Sequence, residues 1–280
     1  MTQQTDKGLT LVTGATGKTG RRIVARLTAA GWPVRIGSRS ADPAFDWERP
    51  ATWAPALAGA TAAYVAFVPD LAVEGSLDAI RSFLDAAEAA GVRRIVLLSG
   101  RGEPEAQACE DELMSRSVEW TILRCSWFSQ NFSESFFLDG VLAGELVTPT
   151  GLAADPFLDA EDIADAAFAA LTTADHAGKL YEMTGPEALS FGEAVAEIGR
   201  ATGREIRHVE IPVEDYRAAL AESDLPPGYP ELVMYLFTTV LDGRNTPVTD
   251  GVRQALGRPA GSFAAYARRA AAEGAWTATV

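Results

Sequence analysis

The stretch that decides the fold is Thr13-Gly14-Ala15-Thr16-Gly17-Lys18-Thr19-Gly20. It follows an apolar, β-prone run over residues 9–13 and leads into residues 18–31, whose apolar side chains recur at helical spacing. Glycines spaced in this way between a strand and a helix allow a tight turn, and the N–H groups of the helix N-terminus can then bind an anion. The context predicts that the pyrophosphate of a dinucleotide binds here. The alternative is a glycine-rich turn that only connects the strand and the helix.

The residues predicted to hold the phosphates are those of the turn itself. The glycines let the backbone approach the ligand, while Lys18 adds a positive charge and Thr16 and Thr19 add hydroxyl groups. The predicted contacts are Gly14, Thr16, Gly17, Lys18, Thr19 and Gly20. The pattern Gly-x-x-x-x-Gly-Lys-Ser/Thr is absent from the sequence, which excludes a nucleoside-triphosphate loop of that type.

Predicted strands and helices continue to alternate after this turn. Further strands are predicted over residues 33–38, 62–68, 94–99 and 118–124, with helices over residues 77–90 and 104–116. Gly31 and Gly91 follow two of the helices at the position where glycine commonly ends a helix. Alternation with strands that are apolar throughout is typical of a parallel sheet covered on both faces. The predicted fold class is therefore α/β, with a Rossmann-like doubly wound parallel sheet.

The pattern changes after about residue 125. A helix capped by Asp159 and running to Leu171 precedes a strand over residues 179–184. Helices then dominate, at residues 190–203, 212–222, 229–241, 248–256 and 262–273. We expect residues 1–150 to form the dinucleotide-binding domain, with residues 157–184 returning to it. Residues 185–280 are expected to form a smaller, mostly helical substrate region that is not clearly separable.

Composition limits the partners of the chain. Its 280 residues carry a formal net charge of -14, and such an acidic surface argues against nucleic acid as a partner. No long unbroken apolar stretch and no signal-peptide pattern is found, so we expect no membrane partner and a cytoplasmic location. Two cysteines and two histidines give neither a disulfide framework nor metal-ligand spacing, and no metal is predicted.

The end of the second strand bears on the choice of dinucleotide. An acidic side chain there would accept hydrogen bonds from a ribose 2′-hydroxyl, but this chain has Ser38-Arg39-Ser40. A guanidinium group suits a 2′-phosphate in both geometry and charge. Ser38 and Arg39 therefore favour NADP(H) over NAD(H), and the alternative for Arg39 is a solvated surface arginine. Asp42 lies beyond the strand end.

Several segments together resemble a known family. They are the glycine turn, Gly37-Ser38-Arg39-Ser40, Phe45-Asp46-Trp47, residues 92–99, residues 119–124 and Trp127-Phe128-Ser129-Gln130-Asn131-Phe132. With these segments the chain resembles the NmrA-like group of atypical short-chain dehydrogenases. Within that group it looks like the festuclavine and agroclavine dehydrogenases of ergot-alkaloid pathways, a likeness that includes Thr184-Gly185-Pro186-Glu187. The resemblance covers nearly the whole chain, and it is looser in about the last 80 residues.

The resemblance implies a Rossmann fold with the cofactor lying across the carboxyl ends of the strands. It implies that Asp46 lies near the adenine and Phe67-Val68-Pro69 near the pyrophosphate and the nicotinamide ribose. Ser99 and Gly100 are implied to lie near the nicotinamide, and Cys125-Ser126-Trp127-Phe128 to line the nicotinamide and substrate pocket. The relatives usually have proline at the position of Cys125, so the backbone there is expected to be less rigid.

A familiar catalytic pair is missing. Typical short-chain dehydrogenases place Tyr-x-x-x-Lys on the helix predicted here at residues 104–116, where the lysine lowers the tyrosine pKa and the tyrosine donates a proton. The only lysines of the chain are Lys7, Lys18 and Lys179, and this helix has no tyrosine. Its acidic residues 110–112 are interpreted as a solvated face.

Ser99 and Cys125 are then the polar candidates near the nicotinamide. Ser99 is the candidate catalytic residue, as a hydrogen-bond donor to the substrate, and the alternative is a polar cap at a strand end. Cys125 is a candidate cofactor contact. Its thiol is either reactive or, more commonly for such a residue, a small packing group.

An aromatic segment supplies candidates for the substrate pocket. Trp127 directly follows a predicted strand end, and we assign it to the pocket together with Phe128, Asn131 and Tyr235. For most other aromatic residues of this segment a place in the hydrophobic core is the better interpretation.

Two functions remain open from the sequence. In the first, an NADPH-dependent reductase transfers hydride to a small electrophilic acceptor such as a quinone, an iminium ion or an enone, which needs chiefly orientation. In the second, the protein binds NADP(H) without turning it over and acts as a redox sensor through protein partners. The chain is expected to be a monomer or a homodimer.

Overall fold

A computed structural model describes residues 7–277. Its strands are β1 (Leu9–Thr13), β2 (Val34–Gly37), β3 (Ala60–Val65), β4 (Arg94–Gly100), β5 (Glu119–Cys125), β6 (Glu145–Thr148), β7 (Ala154–Asp155), β8 (Lys179–Met183), β9 (Leu189–Ser190) and β10 (Arg207–Glu210). Its helices are α1 (Gly20–Ala29), α2 (Trp53–Leu57), α3 (Ser76–Ala89), α4 (Pro104–Met114), α5 (Asn131–Glu134), α6 (Leu138–Ala143), α7 (Ala160–Thr172), α8 (Phe191–Thr202), α9 (Val213–Ala221), α10 (Tyr229–Tyr235), α11 (Gly251–Leu256) and α12 (Phe263–Ala272). A 3₁₀ turn spans Pro50–Thr52, and a π-helical turn spans Leu236–Val240.

Contacts between residues divide the chain into two units. The first contains the described residues up to Cys125, together with Ala160–Met183 and Gly251–Arg258. The second contains Ser126–Asp159, Thr184–Asp250 and the described residues from Pro259 onward. The two units are described separately.

The first unit is built on a six-stranded sheet with the order β2-β1-β3-β4-β5-β8. Every neighbouring pair is parallel, which confirms the predicted α/β class with a Rossmann-like parallel sheet. From β1 the chain moves outward to β2 and then crosses to β3 on the other side of β1. This reversal places a topological switch point between the carboxyl ends of β1 and β3, where open α/β sheets bind ligands.

Helices complete the first unit. One core joins Leu11 and Ala63 of neighbouring strands to Phe83 of α3 and Ala106 of α4, all of them fully buried. Elsewhere α1 packs against α7, and two arginines of α1 pair with α7: Arg22 Nε lies 2.6 Å from Glu161, and Arg26 Nε lies 2.7 Å from Asp165. Apolar burial holds the sheet between its helices, and the ion pairs fix how α1 lies on α7.

The second unit is smaller and mostly helical. It contains a parallel pair, β6 with β10, and an antiparallel pair, β7 with β9. Its core is rich in aromatic rings, including the buried side chains of Phe132, Phe137, Phe157, Phe191, Phe263 and Tyr266. All five helices predicted after residue 185 are present, as α8, α9, α10, α11 and α12. Of these, α11 belongs to the first unit.

Within residues 7–277 no helix combines the length and the apolar character needed to cross a membrane.

Candidate dinucleotide-binding site

The turn between β1 and α1 has the geometry that the glycine spacing predicts. Gly14 has a φ of +59°, a left-handed conformation that favours glycine. The N–H of Gly17 donates to the carbonyl of Gly14 at 2.9 Å and closes the turn. Gly20 is the first residue of α1, so the N-terminus of this helix faces the switch point of the sheet.

Gly20 explains why a third glycine is needed. A Cβ atom added there would overlap the carbonyl oxygen of Gly14 and would lie only 2.8 Å from the Cα of Ala15. Backbone therefore packs directly on backbone, and the first turn of α1 is pressed against the loop. The three glycines form a cradle that side chains would fill, and this cradle fits a pyrophosphate group.

The side chains of the turn differ in what they can offer a phosphate. Thr16 is exposed and Lys18 is half-buried. Thr19 is buried, and its hydroxyl accepts a hydrogen bond from the hydroxyl of Tyr64 at 3.0 Å. The expected hydroxyl contact from Thr19 is thus directed into the sheet instead, and the group that Thr19 presents at the helix N-terminus is its backbone N–H.

An open groove lies at the end of β2. It has a volume of about 560 Å³, and its lining combines side chains of β1 and β2 with residues of the loops that follow them: Leu9, Thr16, Val34, Arg35, Ile36, Ser38, Ser40, Ala41 and Asp42. Arg39 is exposed between the two serines, whose hydroxyl oxygens lie 3.4 Å apart. Hydroxyl groups beside an exposed guanidinium provide donors for a ribose phosphate.

The end of β3 is held close to the turn by Thr13. The Oγ1 atom of this fully buried residue accepts the N–H of Ala66 at 2.8 Å and lies 3.2 Å from the carbonyl oxygens of Tyr64 and Ala66. Phe67 follows and packs on Trp47 with ring centroids 4.8 Å apart, while Val68 is 52% exposed. An apolar surface therefore begins at the carboxyl end of β3, next to the glycine turn.

Asp46 lies in the loop between β2 and β3, where its side chain shapes the loop. Its carboxylate accepts the N–H of Glu48 at 3.1 Å and pairs with Arg49 at 2.9 Å. Two indole N–H groups hold the loop in place. That of Trp53 donates to the carbonyl of Asp46, and that of Trp47 donates to the carbonyl of Ala66 after β3.

Ser99 lies near the end of β4, and its hydroxyl is engaged with a buried acid. It donates to Oε1 of Glu110 at 2.5 Å. The same carboxylate pairs with Arg124, which is the register partner of Ser99 on β5. Glu110 is 0% exposed, so the expectation that residues 110–112 form a solvated face is wrong for Glu110, although Asp111 is exposed. The hydroxyl hydrogen of Ser99 points to Glu110, which leaves its lone pairs for other groups.

Cys125 ends β5 opposite Gly100 of β4. It is buried, and burial raises the pKa of its thiol, as does the nearby Glu110 charge. The thiol therefore stays protonated at neutral pH, which favours the packing interpretation over a reactive thiolate.

Two further carboxyl groups at this edge were not found from the sequence. Asp70 follows β3, and Glu103 precedes α4; the two carboxyl groups lie close enough to interact, and the charge of Asp70 raises the pKa of Glu103. They lie 33 positions apart in the chain, and nothing in the spacing signals their approach. Only the strand order, which puts β3 beside β4, brings them together.

The predicted substrate residues all lie in the second unit. The half-buried Trp127 stacks on Phe137 with centroids 6.1 Å apart and planes 7° from parallel. Phe128 forms an isolated bridge with Leu158, and Asn131 is buried at the start of α5. Tyr235 is the half-buried last residue of α10. Trp127 thus belongs to an aromatic cluster that also contains Phe191 and Phe237 of this unit.

The switch point, the glycine cradle and the groove beside Arg39 define a dinucleotide-binding protein of the α/β class. The chain matches the NAD(P)H-binding family over residues 14–174, which is more than half of its length, and it belongs to that family. The resemblance to NmrA-like proteins and to the festuclavine and agroclavine dehydrogenases is likewise confirmed.

The curated relatives include named oxidoreductases and reductases. The chain is 32% identical to an uncharacterized oxidoreductase, YesF of Bacillus subtilis, over 95% of this chain and 96% of the relative. It is 29% identical to an NAD(P)H azoreductase of Xenophilus azovorans, over 94% and 98%. It is 30% identical to agroclavine dehydrogenase of Claviceps fusiformis, over 91% and 95%. The family is thus one of NAD(P)H-dependent oxidoreductases.

Solved structures share the fold. An NADPH-dependent quinone oxidoreductase of Escherichia coli, in complex with NADPH, has a TM-score of 0.75 at 21% identity, over 93% of this chain and 99% of that chain. NmrA, a negative transcriptional regulator in complex with NAD, has a TM-score of 0.68 at 17% identity, over 95% and 98%. At these identities the likeness shows the fold alone.

Proposed function

We propose that the chain is a reductase that transfers hydride from NADPH to a small electrophilic acceptor, such as a quinone, an iminium ion or an enone. The observation that carries this proposal is which residues α4 contains and which it lacks. Where a Tyr-x-x-x-Lys pair would be expected, this helix carries Glu110 paired with Arg124 and has neither tyrosine nor lysine. An electron-poor acceptor needs chiefly to be held close to the nicotinamide in the correct orientation.

In this proposal the bound cofactor supplies the hydride, and the residues of the chain bind and orient. The cradle from Gly14 to Gly20 holds the pyrophosphate, with Lys18 adding charge. Ser38 and Arg39 hold a 2′-phosphate, which gives the preference for NADP(H). Further proposed cofactor contacts are Asp46, Phe67, Val68, Pro69, Ser99, Gly100 and Cys125. Trp127, Phe128, Asn131 and Tyr235 are proposed substrate contacts in a substrate region.

The test follows the absorbance of NADPH with a panel of quinones, enones and iminium ions. We expect oxidation of NADPH that depends on both protein and acceptor, with at least one acceptor class reduced. Reactions lacking either the protein or the acceptor are the controls. Tight NADPH binding without turnover of any member contradicts the reductase proposal for these classes. That result instead supports the second candidate, a dinucleotide sensor that acts through protein partners.

A further inference from the structure

Two carboxyl side chains meet at the carboxyl edge of the first unit's sheet. Asp70 lies in the segment after β3, and Glu103 lies directly before α4. Glu103 is 6% exposed, and its carboxyl group lies across Gly100, the last residue of β4. A Cβ atom built on Gly100 would overlap this carboxyl group. A glycine at the strand end is therefore what allows Glu103 to fold over β4.

The approach of these two carboxyl groups favours a proton on one of them. Oδ1 of Asp70 accepts the N–H of Ala72 at 2.9 Å, and the Asp70 carboxyl group lies close enough to that of Glu103 for the two charges to act on each other. Two ionised carboxylates have no hydrogen to share, so this contact is favourable only when one of them is protonated. Within residues 7–277, Oε2 of Glu103 is buried without a hydrogen-bond partner.

Burial and the neighbouring charges both favour the protonated form of Glu103. Burial raises the pKa of Glu103 well above its ordinary value, and the nearby Asp70, Glu105 and Glu110 carboxyl groups raise it further. The Glu110 charge is itself paired with Arg124. The pKa of Asp70 is also raised by burial, while its backbone hydrogen bond to Ala72 opposes the shift. Because Asp70 accepts that backbone N–H, Glu103 is the better place for the shared proton.

We propose that Glu103 is held as a carboxylic acid beside Asp70 and is the proton donor to the reduced acceptor, an inference that rests on the proposed reductase function. Its place supports this role, because it covers Gly100 at the end of β4, and the family resemblance implies that Ser99 and Gly100 lie beside the nicotinamide. Ser99 directs its own hydrogen to Glu110 and does not compete as the donor.

The step balances with one hydride and one proton. For a quinone, a reduced nicotinamide held at this site would supply the hydride and would be oxidised, and the quinone would be reduced to the hydroquinone level. The O–H bond of Glu103 breaks as the new O–H bond of the hydroquinone forms. Glu103 is left as a carboxylate and takes a proton back from water. An iminium ion becomes a neutral amine by accepting hydride alone, so it needs no donor.

This difference between acceptors gives the test. Glu103→Gln keeps the shape of the side chain but has no acidic proton. We expect its kcat with a quinone or an enone to fall by about 100-fold or more, since general acids contribute roughly 10²–10⁴-fold. Its kcat with an iminium ion and its Kd for NADPH should change by less than about threefold, a margin well below that contribution. The matched control is Asp111→Asn, which removes an exposed carboxylate from α4 that does not act on Glu103 and should leave all three quantities unchanged.

A second measurement needs no turnover. Infrared difference spectra of the protein without cofactor should show a protonated carboxyl band near neutral pH that is absent in Glu103→Gln. Asp70→Asn should shift this band, because it changes the group that shares the proton. An equal loss with quinone and iminium acceptors, or a wild-type protein without the band, overturns the inference. A wild-type protein that shows the band but reduces no acceptor instead counts against the proposed function, so the two failures are distinguishable.

Discussion

At the scale of single residues, Glu110 is the charged group whose environment is most demanding. Its side chain is buried. Its carboxylate accepts a hydrogen bond from the hydroxyl of Ser99 and pairs with the guanidinium group of Arg124. A buried carboxylate loses its hydration on folding, and only charged or hydrogen-bonded partners offset that loss. Arg124 is therefore expected to matter more for stability than the exposed arginines do.

Replacing Arg124 with methionine should show this. The change leaves the Glu110 charge buried without its cation, and we expect the free energy of unfolding to fall by about 3 kcal/mol. Urea unfolding followed by circular dichroism measures this loss. Adding Glu110→Gln to the same protein should restore part of the stability, because the uncompensated charge is then gone. If the double variant is less stable than Arg124→Met, the charge argument is wrong.

Arg39 is the residue on which the proposed preference for NADP(H) depends. We expect Arg39→Asp to weaken NADPH binding by about tenfold or more, because a charge-assisted contact to phosphate contributes roughly 1.5–3 kcal/mol and is replaced by repulsion. NADH binding should change much less, since NADH has no 2′-phosphate. Fluorescence titration with both nucleotides gives the two Kd values. Arg200→Met, which removes an exposed arginine of α8 that does not line the groove, is the control. An equal loss for both nucleotides would remove Arg39 from its assigned role.

Some residue roles can be predicted from the local sequence, whereas others depend on contacts made only in the folded chain. The glycine turn is predictable because its function depends on eight consecutive residues and local backbone geometry. The roles of Glu103 and Glu110 depend on which strands are neighbours and on their register, since Ser99 and Arg124 face each other across β4 and β5. An acidic run on a helix looks like a solvated face until its packing partner is known. The burial of the Thr19 hydroxyl against Tyr64 has the same origin.

At the scale of elements, length decides what periodicity can predict. The long helices α3, α4, α7 and α8 each contain several turns, and their apolar spacing predicted them within a few residues. The five-residue helix α2 and the four-residue strands β6 and β10 are too short to show a period and were not predicted. The equally short β2 was predicted because it follows the glycine turn and α1. The helix predicted at residues 229–241 is present as α10, but its last part, Leu236–Val240, is π-helical, a change that apolar spacing does not encode.

The start of α8 offers a test at this scale. Ser190 accepts the N–H of Glu193, and the Glu193 carboxylate accepts the N–H of Ser190, which together form a capping box. Ser190→Ala should lower the free energy of unfolding by about 1 kcal/mol, whereas Ser190→Thr, which keeps the hydroxyl, should cost less. Thermal unfolding at neutral pH compares the variants, and equal losses for alanine and threonine would rule out the cap as the cause.

The capping box also has a defined pH dependence. The hydrogen bonds from Ser190 lower the pKa of Glu193 below its ordinary value. A lowered pKa in the folded state means that the contribution is present above the unfolded-state pKa and is lost as pH falls through the folded-state pKa. The difference between wild type and Ser190→Ala should therefore shrink in acid.

At the scale of the whole molecule, the net charge of -14 acts against the ligand that the site is proposed to hold. NADPH is an anion, so the long-range field of an acidic protein opposes its approach, and in the proposed site the helix N-terminus, Lys18 and Arg39 supply the attraction. Salt screens the long-range repulsion first, because the Debye length shrinks from about 30 Å at 0.01 M to about 8 Å at 0.15 M. Contacts formed within a few ångströms are screened much less.

The association rate constant of NADPH should therefore rise as ionic strength increases over this range, the opposite of a binding reaction steered by opposite charges. NADH, with one phosphate fewer, should show a smaller rise. Stopped-flow measurements of nucleotide fluorescence give both rate constants, and the dissociation rate constants should change less than the association rate constants. A decrease in the NADPH association rate with added salt would mean that a local positive field dominates the approach. In that case Lys18→Met should reverse the salt dependence, because it removes the cation in the glycine turn.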